Sequence, residues 1–340
     1  MDLAILVGCG SIGKKHLRIL HSMYKHLIVV DSSKVVQQDL KNSTEFSLDL
    51  RNDLTELSKK EIIKSRLIVI ATYGPDHLTQ TQYFVNNGAK NFIIEKPLTD
   101  SLEDLNILKN LVDEYSIKLY CHTPNRYTLI KENLIKIQNS FSLGELKSSV
   151  VVGGAKCMAT MGIHYLDTMN YIIGDEPIEV FANLSNSSIN PRGSNFAYLD
   201  GTAEWVYKNG FRFAIHFNNQ IQLESTQQFI WQRAKLESNH LGRFDLMVTD
   251  GKNSQSDLIY KTAFASKFIE SFNLYETPNN DDKFNNFYSC ITNSDYKFNF
   301  DASINSTKSL FAALYSSLLG KRIYMTELDK LDQTIKWKIT

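Results

Sequence analysis

At 340 residues the chain is too long for one small domain and fits two, at roughly 100–200 residues each, and its 43% apolar and 22% charged residues exclude a disordered chain. Lysine plus arginine and aspartate plus glutamate both number 37, so no excess positive field exists to hold a phosphate backbone, and nucleic acid is not an expected partner. Cys9, Cys121, Cys157 and Cys290 lie far apart, without zinc-site spacing or the density of a disulfide framework, which fits a reducing compartment.

In chain order, the apolar opening Met1 to Gly8 is too short for a signal-peptide core and lacks a basic flank, so it reads as a first strand. Short, near-continuous apolar runs follow at Leu27 to Val30, Leu67 to Ala71, Asn91 to Glu95 and Ile117 to Cys121, the pattern of parallel strands covered on both faces. Helical stretches separate them. In Ser101 to Tyr115, Ser101 and Asp104 resemble a capping box, and Leu102, Leu105, Leu108, Leu111 and Val112 keep helical spacing. After residue 122 the pattern turns to long alternating segments. Thr202 to Tyr207, Lys208-Asn209-Gly210 and Phe211 to Phe217 predict a hairpin, with Phe211, Phe213, Ile215 and Phe217 on one face. Thr277 to Asp282 is polar and turn-rich, and residues from about 306 to 320 predict a closing helix. The expected fold is α/β: residues 1–122 form a Rossmann domain with a doubly wound parallel sheet, and residues 123–340 form an α+β domain with a large, mostly antiparallel open sheet. No apolar run approaches the roughly 20 residues that span a bilayer, so no membrane association is expected and the location is expected to be cytoplasmic.

Gly8-Cys9-Gly10-Ser11-Ile12-Gly13 follows the first strand directly and opens a helix, which is the context that gives this pattern meaning as a dinucleotide fingerprint. Gly8 serves the tight turn, Gly10 the approach of the pyrophosphate, and Gly13 the close helix packing, while the helix N-terminus faces the phosphates. Asp31 ends the second strand, where a carboxylate accepts from the adenosine ribose and repels a 2′-phosphate. NAD is therefore expected over NADP, although Ser32, Ser33 and Lys34 soften the repulsion. Thr72 and His77, after the third of these strands, fall in a crevice loop beside the cofactor, where Thr72 is expected to line the site and His77 either to contact the cofactor or only to brace the loop.

Glu95-Lys96-Pro97, read with the run from Gly8 to His16, resembles the Gfo/Idh/MocA family, named after glucose-fructose oxidoreductase and inositol dehydrogenase. Met161 to Asp167 is similar to that family's helix with a substrate-pocket histidine, and Ser309 to Tyr324 to its closing helix and strand. The resemblance spans nearly the whole chain and is weakest between residues 225 and 280. It implies a second domain whose open sheet commonly mediates dimers or tetramers, so a homodimer or homotetramer through the C-terminal sheet is expected, and exposed aromatic alternation in the hairpin would agree with this. It also implies a cis Lys96–Pro97 bond.

By this resemblance Lys96 touches both nicotinamide and substrate, and a desolvated lysine at a sheet's carboxyl edge suits general acid/base work. His164 is the second catalytic candidate, polarising the substrate hydroxyl or exchanging its proton. Glu95 is expected to organise the loop beside the cofactor, and His16 to be structural. Asp167 lies one helical turn beyond His164 and either contacts substrate or orients a neighbour. Inositol dehydrogenase-like relatives carry Asp four residues before this histidine; here Thr160 stands there and cannot act as a carboxylate base. Asn125 and Arg126 resemble the family's amide and arginine at the substrate pocket, with Pro124 where many relatives place the amide. Arg126 is expected either to bind a substrate carboxylate or phosphate or to form a domain-interface salt bridge. No His, Cys, Asp or Glu cluster has metal-ligand spacing, so no metal is expected.

The resulting expectation is an NAD-dependent oxidoreductase moving a hydride between nicotinamide and a secondary alcohol or ketone of a sugar, polyol or nucleotide-linked sugar. The alternatives are transient redox by bound NAD, giving elimination or glycoside cleavage without net NADH, and a catalytically silent NAD-binding regulatory protein.

Overall fold

The apolar runs of the first third become strands buried on both faces, and Leu3–Val7 (β1) is buried along its whole length. The computed structural model describes residues 2–43, 46, 48–239, 241–249, 266–275, 280–291 and 296–339. With β1, the strands β2 (His26–Val30), β3 (Asp49–Arg51), β4 (Ser65–Ile70), β5 (Asn91–Ile94) and β6 (Lys118–Cys121) form a parallel sheet in the order β3-β2-β1-β4-β5-β6. Strand β3 has no counterpart in the predicted elements, because this three-residue edge strand carries one apolar residue between Asp49 and Arg51 and so shows no pattern. The connecting helices are α1 (Ser11–Met23), α2 (Lys34–Asn42), α3 (Lys59–Lys64), α4 (Gly74–Asn86) and α5 (Leu102–Tyr115). Ser101 caps α5 as its spacing predicts, its hydroxyl accepting from the Asp104 N–H at 3.1 Å.

The strand order reverses at β1, so right-handed crossovers put α1 and α2 on one face of the sheet and α4 and α5 on the other. This reversal also opens a crevice at the carboxyl ends of β1 and β4. Ile68, Ile70, Phe92 and Ile94 pack with Phe84 and Leu108 in one core, while Leu6, Val69 and Ile93 face the α1 side with Leu17 and Leu20.

Beyond β6 come α6 (Ile130–Ser140), β7 (Leu146–Gly153), a π-helical turn over Met158–Gly162, α7 (Ile163–Ile173), β8 (Pro177–Asn186), β9 (Leu199–Tyr207), β10 (Arg212–Phe217), β11 (Thr226–Trp231), β12 (Ala234–Ser238), β13 (Phe244–Thr249), β14 (Ser266–Phe272), α8 (Asn280–Ile291), α9 (Tyr296–Leu319) and β15 (Ile323–Tyr324). The second sheet runs β14-β13-β12-β11-β7-β10-β9-β8-β15 and is antiparallel apart from the parallel pair β7 and β10. The hairpin forms at Gly210, with φ +80° and Phe213 opposite Trp205. Its aromatics are buried and so lend no support to an exposed oligomer face: Phe211, Phe213, Ile215 and Phe217 point inward, and Trp205, whose ring lies 5.6 Å from that of Phe213, donates its indole N–H to the Ser309 carbonyl of α9. Covering by α9 decides which face of the alternation points inward.

Two C-terminal elements return to the first domain. Phe287, Tyr288 and Ile291 of α8 cover the α1 side of the parallel sheet, where the β4-to-β6 crossovers leave no helix of their own. Of the predicted turn-rich stretch, residues 277–279 lie outside the described residues, and Asn280 opens α8. The final segment runs back across both domains: the Glu103 N–H donates to the Gln333 carbonyl, the Trp337 N–H to that of Asp100, and the Ala197 N–H to that of Lys338, each at 3.0 Å. The closing helix starts at Tyr296 rather than near 306, because Asn299 and Ser303 point inward and break its apolar spacing. Asn299 is buried usefully, since its Oδ1 accepts from the Cys121 N–H at the end of β6 at 2.8 Å.

Candidate active site

The glycine loop meets the steric demands of its fingerprint. Gly8 has φ +83°, and a Cβ there would lie 2.9 Å from the Ala71 carbonyl oxygen and from Thr72 Cγ2. A Cβ on Gly13 would lie 2.1 Å from the Gly8 oxygen, so helix and strand pack this closely only with glycine. Above Gly10 there is open space, with nothing within 4 Å of a Cβ position, and no side chain caps the first turn of α1. Uncapped N–H groups beside an open approach fit a pyrophosphate. Ser11 and Ile12 begin this turn.

Asp31 closes the cradle. Its carboxylate accepts from the Cys9 N–H at 2.6 Å and the Ser33 N–H at 2.8 Å, which fixes it over the loop at the end of β2. Each oxygen keeps a lone pair for a ribose hydroxyl. Replacing Asp31→Ser is expected to weaken NAD binding by about 10–100-fold, the loss of charge-assisted hydrogen bonds, and to narrow its advantage over NADP; fluorescence titration with NADH and NADPH measures both.

Thr72 stands over Gly8, with its hydroxyl donating to Gln80 Oε1 at 2.7 Å. Of its two expected roles, cofactor contact and bracing of the loop, His77 takes the second. It is fully buried, with Nδ1 3.0 Å from the Pro97 carbonyl and Nε2 3.2 Å from that of Thr72. It braces the Thr72 loop against the loop that follows β5, which contains a cis Lys96–Pro97 bond.

The carboxyl end of β5 carries a buried polar hub that spacing along the chain does not reveal. Glu95 Oε1 lies 2.9 Å from His16 Nε2 and 2.8 Å from His122 Nδ1, and His16 Nδ1 lies 2.7 Å from the Tyr288 hydroxyl. These partners are consistent with Tyr288 donating to His16 and both imidazoles donating to Glu95. Burial alone would raise the Glu95 pKa, but the interactions with His122 and His16 outweigh it and hold the carboxyl well below the usual range. Burial lowers that of His16. The ligand atoms of His16, Glu95 and His122 all lie within 4.8 Å of one another, a cluster unforeseen when no metal was expected, yet hydrogen bonding accounts for its geometry. His122 Nε2 has no hydrogen-bond partner among the described residues. The hub joins α1, β5, β6 and α8, with the Phe284 ring 4.1 Å from that of His122.

Lys96 follows the hub and is half-buried. Burial pulls its pKa below the usual lysine value; the Glu95 charge opposes this and that of Arg192 adds to it. His164, also half-buried, projects from the first turn of α7, after the π-helical turn that contains Thr160. Burial, followed by the nearby charge of Lys96, pushes the His164 pKa down to about 3. The fold thus brings together Lys96 from one domain and His164 from the other.

Two of the substrate candidates bind each other instead. Arg126 donates through Nε to Asp167 Oδ2 at 2.7 Å and through its second amine to Oδ1. Both residues are buried, and the Ser306 hydroxyl also donates to Asp167 at 2.8 Å. The pair is a buried ion pair between the turn Pro124–Tyr127 and α7, within the second domain rather than across the domain interface, and the Arg126 fork is already filled. Asn125 is half-buried and donates to the Thr168 hydroxyl at 3.1 Å, which in turn donates to the His164 carbonyl at 2.6 Å. It therefore supports the helix that carries His164. Among residues without a sequence signal, Arg192 lies in the loop between β8 and β9, and Lys283 in α8. A polar recess of about 530 Å3, lined by Asn190, Lys336 and Lys338 among others, opens between that loop and the C-terminal segment, and neither Lys96 nor His164 lines it.

A six-stranded parallel sheet with this glycine cradle is the arrangement of a dinucleotide-binding Rossmann domain. Residues 3–122 match the Gfo/Idh/MocA family model, described as oxidoreductase family, NAD-binding Rossmann fold. No curated protein matches it in sequence. Among solved structures it is similar to an Agrobacterium radiobacter oxidoreductase in complex with NAD+, L-tartaric acid and magnesium, at 13% identity and a TM-score of 0.72 over 96% of this chain and 100% of that one. It is also similar to the Bordetella pertussis WlbA dehydrogenase in complex with NADH and UDP-GlcNAcA, at 17% identity and 0.65 over 95% and 98%. A putative myo-inositol dehydrogenase from Sinorhizobium meliloti aligns at 14% identity and 0.66 over 96% and 100%. At these identities the likeness is one of fold, and it extends across both domains. No described helix is long and apolar enough to cross a membrane.

Proposed function

We propose that the protein transfers a hydride between NAD and a secondary alcohol or ketone carbon of a sugar, polyol or nucleotide-linked sugar, with Lys96 handling the proton. The observation that carries this reading is a half-buried lysine with a lowered pKa at the carboxyl edge of β5, close enough for its charge to act on His164 of the second domain. The cofactor, when bound, supplies the hydride acceptor or donor. In the oxidising direction the neutral Lys96 amine takes the hydroxyl proton, and in the reducing direction the ammonium returns it. His164 is neutral near pH 7, so it orients the substrate oxygen by hydrogen bonding rather than exchanging the proton. Thr160, in place of a carboxylate, contributes at most a hydroxyl. The sugar-nucleotide complex of the WlbA neighbour supports the substrate class. Homodimers or homotetramers would form through the outer face of the second sheet, where Val152 and Phe181 are exposed.

A panel of polyols, sugars and sugar nucleotides, followed by NADH absorbance, tests the reading. Net NADH formation is expected with at least one of them. The rate should rise with pH along a single limb whose midpoint lies below the usual lysine pKa, without a histidine limb between about pH 5 and 8. Product without net NADH would establish transient redox instead, and NAD binding without turnover of any substrate would favour the silent protein.

A further inference from the structure

The polar hub at the carboxyl end of β5 is more than packing requires. His16, Glu95, His122 and Tyr288 are all buried, and apolar residues of similar volume often fill such a space with no loss of stability. One atom of the hub is even left unserved. His122 Nε2 has no hydrogen-bond partner among the described residues, and the Phe284 and Phe287 rings lie 4.1 Å and 4.8 Å from the imidazole. What the polar arrangement provides is a fixed carboxylate next to Lys96. Glu95 Oε1 is held by His16 and His122 at 2.9 Å and 2.8 Å, and Oε2 accepts from the Lys96 backbone N–H at 3.3 Å. On the other side of Lys96, the Pro97 and Leu98 carbonyls lie 3.0 Å and 3.3 Å from His77 Nδ1. The backbone that carries the lysine is thus gripped from both sides by buried side chains.

The grip on the Glu95 side reaches into the second domain. The Tyr288 hydroxyl of α8 lies 2.7 Å from His16 Nδ1, and a hydroxyl donating there leaves the imidazole proton on Nε2, aimed at Glu95. Helix α8 is seated by Phe284 and Phe287 against His122 and by the Tyr120 hydroxyl, which donates to the Ile291 carbonyl at 3.0 Å. We infer that His16, His122 and Tyr288 are positioning residues for Lys96, acting through Glu95, so that α8 of the second domain completes the general acid/base of the first. The inference rests on the hydride-transfer reading for what Lys96 does, but not for how its backbone is held. The tyrosine sets the histidine tautomer, the histidines set the carboxylate, and the carboxylate sets the backbone from which the amine projects. Such support matters because a misplacement of about 1 Å at a reacting group costs on the order of 10²-fold in rate.

The test uses Glu95→Gln and the milder Tyr288→Phe in the full chain, so that the question stays open to refutation even where the buried amide disturbs folding. In steady-state kinetics with a sugar that the parent turns over, kcat should fall about 100-fold in Glu95→Gln and about 10-fold in Tyr288→Phe. KM and the NADH dissociation constant should stay as in the parent, since the loss is confined to the transition state. Nitrogen NMR of labelled histidine should show His16 as the Nε2–H tautomer in the parent and as a mixture of tautomers in Tyr288→Phe. Crystal structures of the NADH complexes should show the Lys96 amine displaced from its parental position against the nicotinamide in both variants. A lowered denaturation midpoint with kcat and the Lys96 position unchanged overturns the inference, since that is the signature of a merely structural hub. Displacement of Lys96 in a protein that turns over no sugar keeps the positioning role and removes the hydride-transfer reading. Turnover that is lost in Lys96→Met but unaffected in Tyr288→Phe and Glu95→Gln does the reverse.

Discussion

Lys96→Met is expected to lower kcat by roughly 10²–10⁴-fold, the usual contribution of a positioned general acid or base, while the NADH dissociation constant changes little. Methionine keeps most of the stem's length and apolar contact, so the change isolates the amine. The loss should appear equally in kcat and kcat/KM, as for an interaction made in the transition state. The residual activity should also lose the pH limb assigned to Lys96. His164→Asn, by contrast, should retain that limb, since His164 carries no proton near neutrality. Kinetics with whichever sugar turns over, together with NADH fluorescence titration, provide the measurement; an unchanged kcat removes Lys96 from the chemistry.

Arg126→Met is expected to cost about 3–5 kcal/mol of stability, because it strands the Asp167 carboxylate in the interior with its main partner gone. The double replacement Arg126→Met with Asp167→Leu should recover much of that loss, since an apolar pair of similar volume leaves no uncompensated charge. Denaturant unfolding of the single and double variants reads the coupling directly. If Arg126 were instead the substrate clamp, the single variant would unfold like the parent and fail in KM.

The contrast between these two predictions follows from what each residue shows in the chain. Lys96 was legible because it stands at the end of a predicted strand within Glu95-Lys96-Pro97, and its consequence follows from local position at a sheet's carboxyl edge. Arg126 and Asp167 were both legible as candidates, but nothing in their separate motifs says that they face one another. The hub is a stronger case of the same limit. His16, Glu95, His122 and Tyr288 come from four elements, and only packing α8 against the parallel sheet brings Tyr288 to His16. A weak signal for His122 existed, since it follows β6 directly at the edge where ligands gather.

The fold divides in the same way. Most of the parallel strands, the capped helix at Leu102–Tyr115 and the hairpin at Gly210 follow from local pattern. Strand β3 is too short to carry such a pattern, and the early start of α9 is hidden by Asn299, whose partner Cys121 is distant in sequence.

By itself, then, the sequence determined the NAD cradle, because the steric demand at Gly13 and the position of Asp31 are properties of one contiguous strand–turn–helix–strand unit, whereas the crowding of Gly8 by Ala71 and Thr72 belongs to the tertiary structure. It also determined which residues were worth testing as acid or base. Only the tertiary structure decided which charges are spent on one another and which remain open to a ligand. Arg126 is closed by Asp167 and Glu95 by two histidines, whereas Lys96 and His164 come from separate elements and have no partner that closes them among the interactions described. The physical reason is that charge neutralisation acts through space, between side chains whose separation along the chain carries no information about their distance.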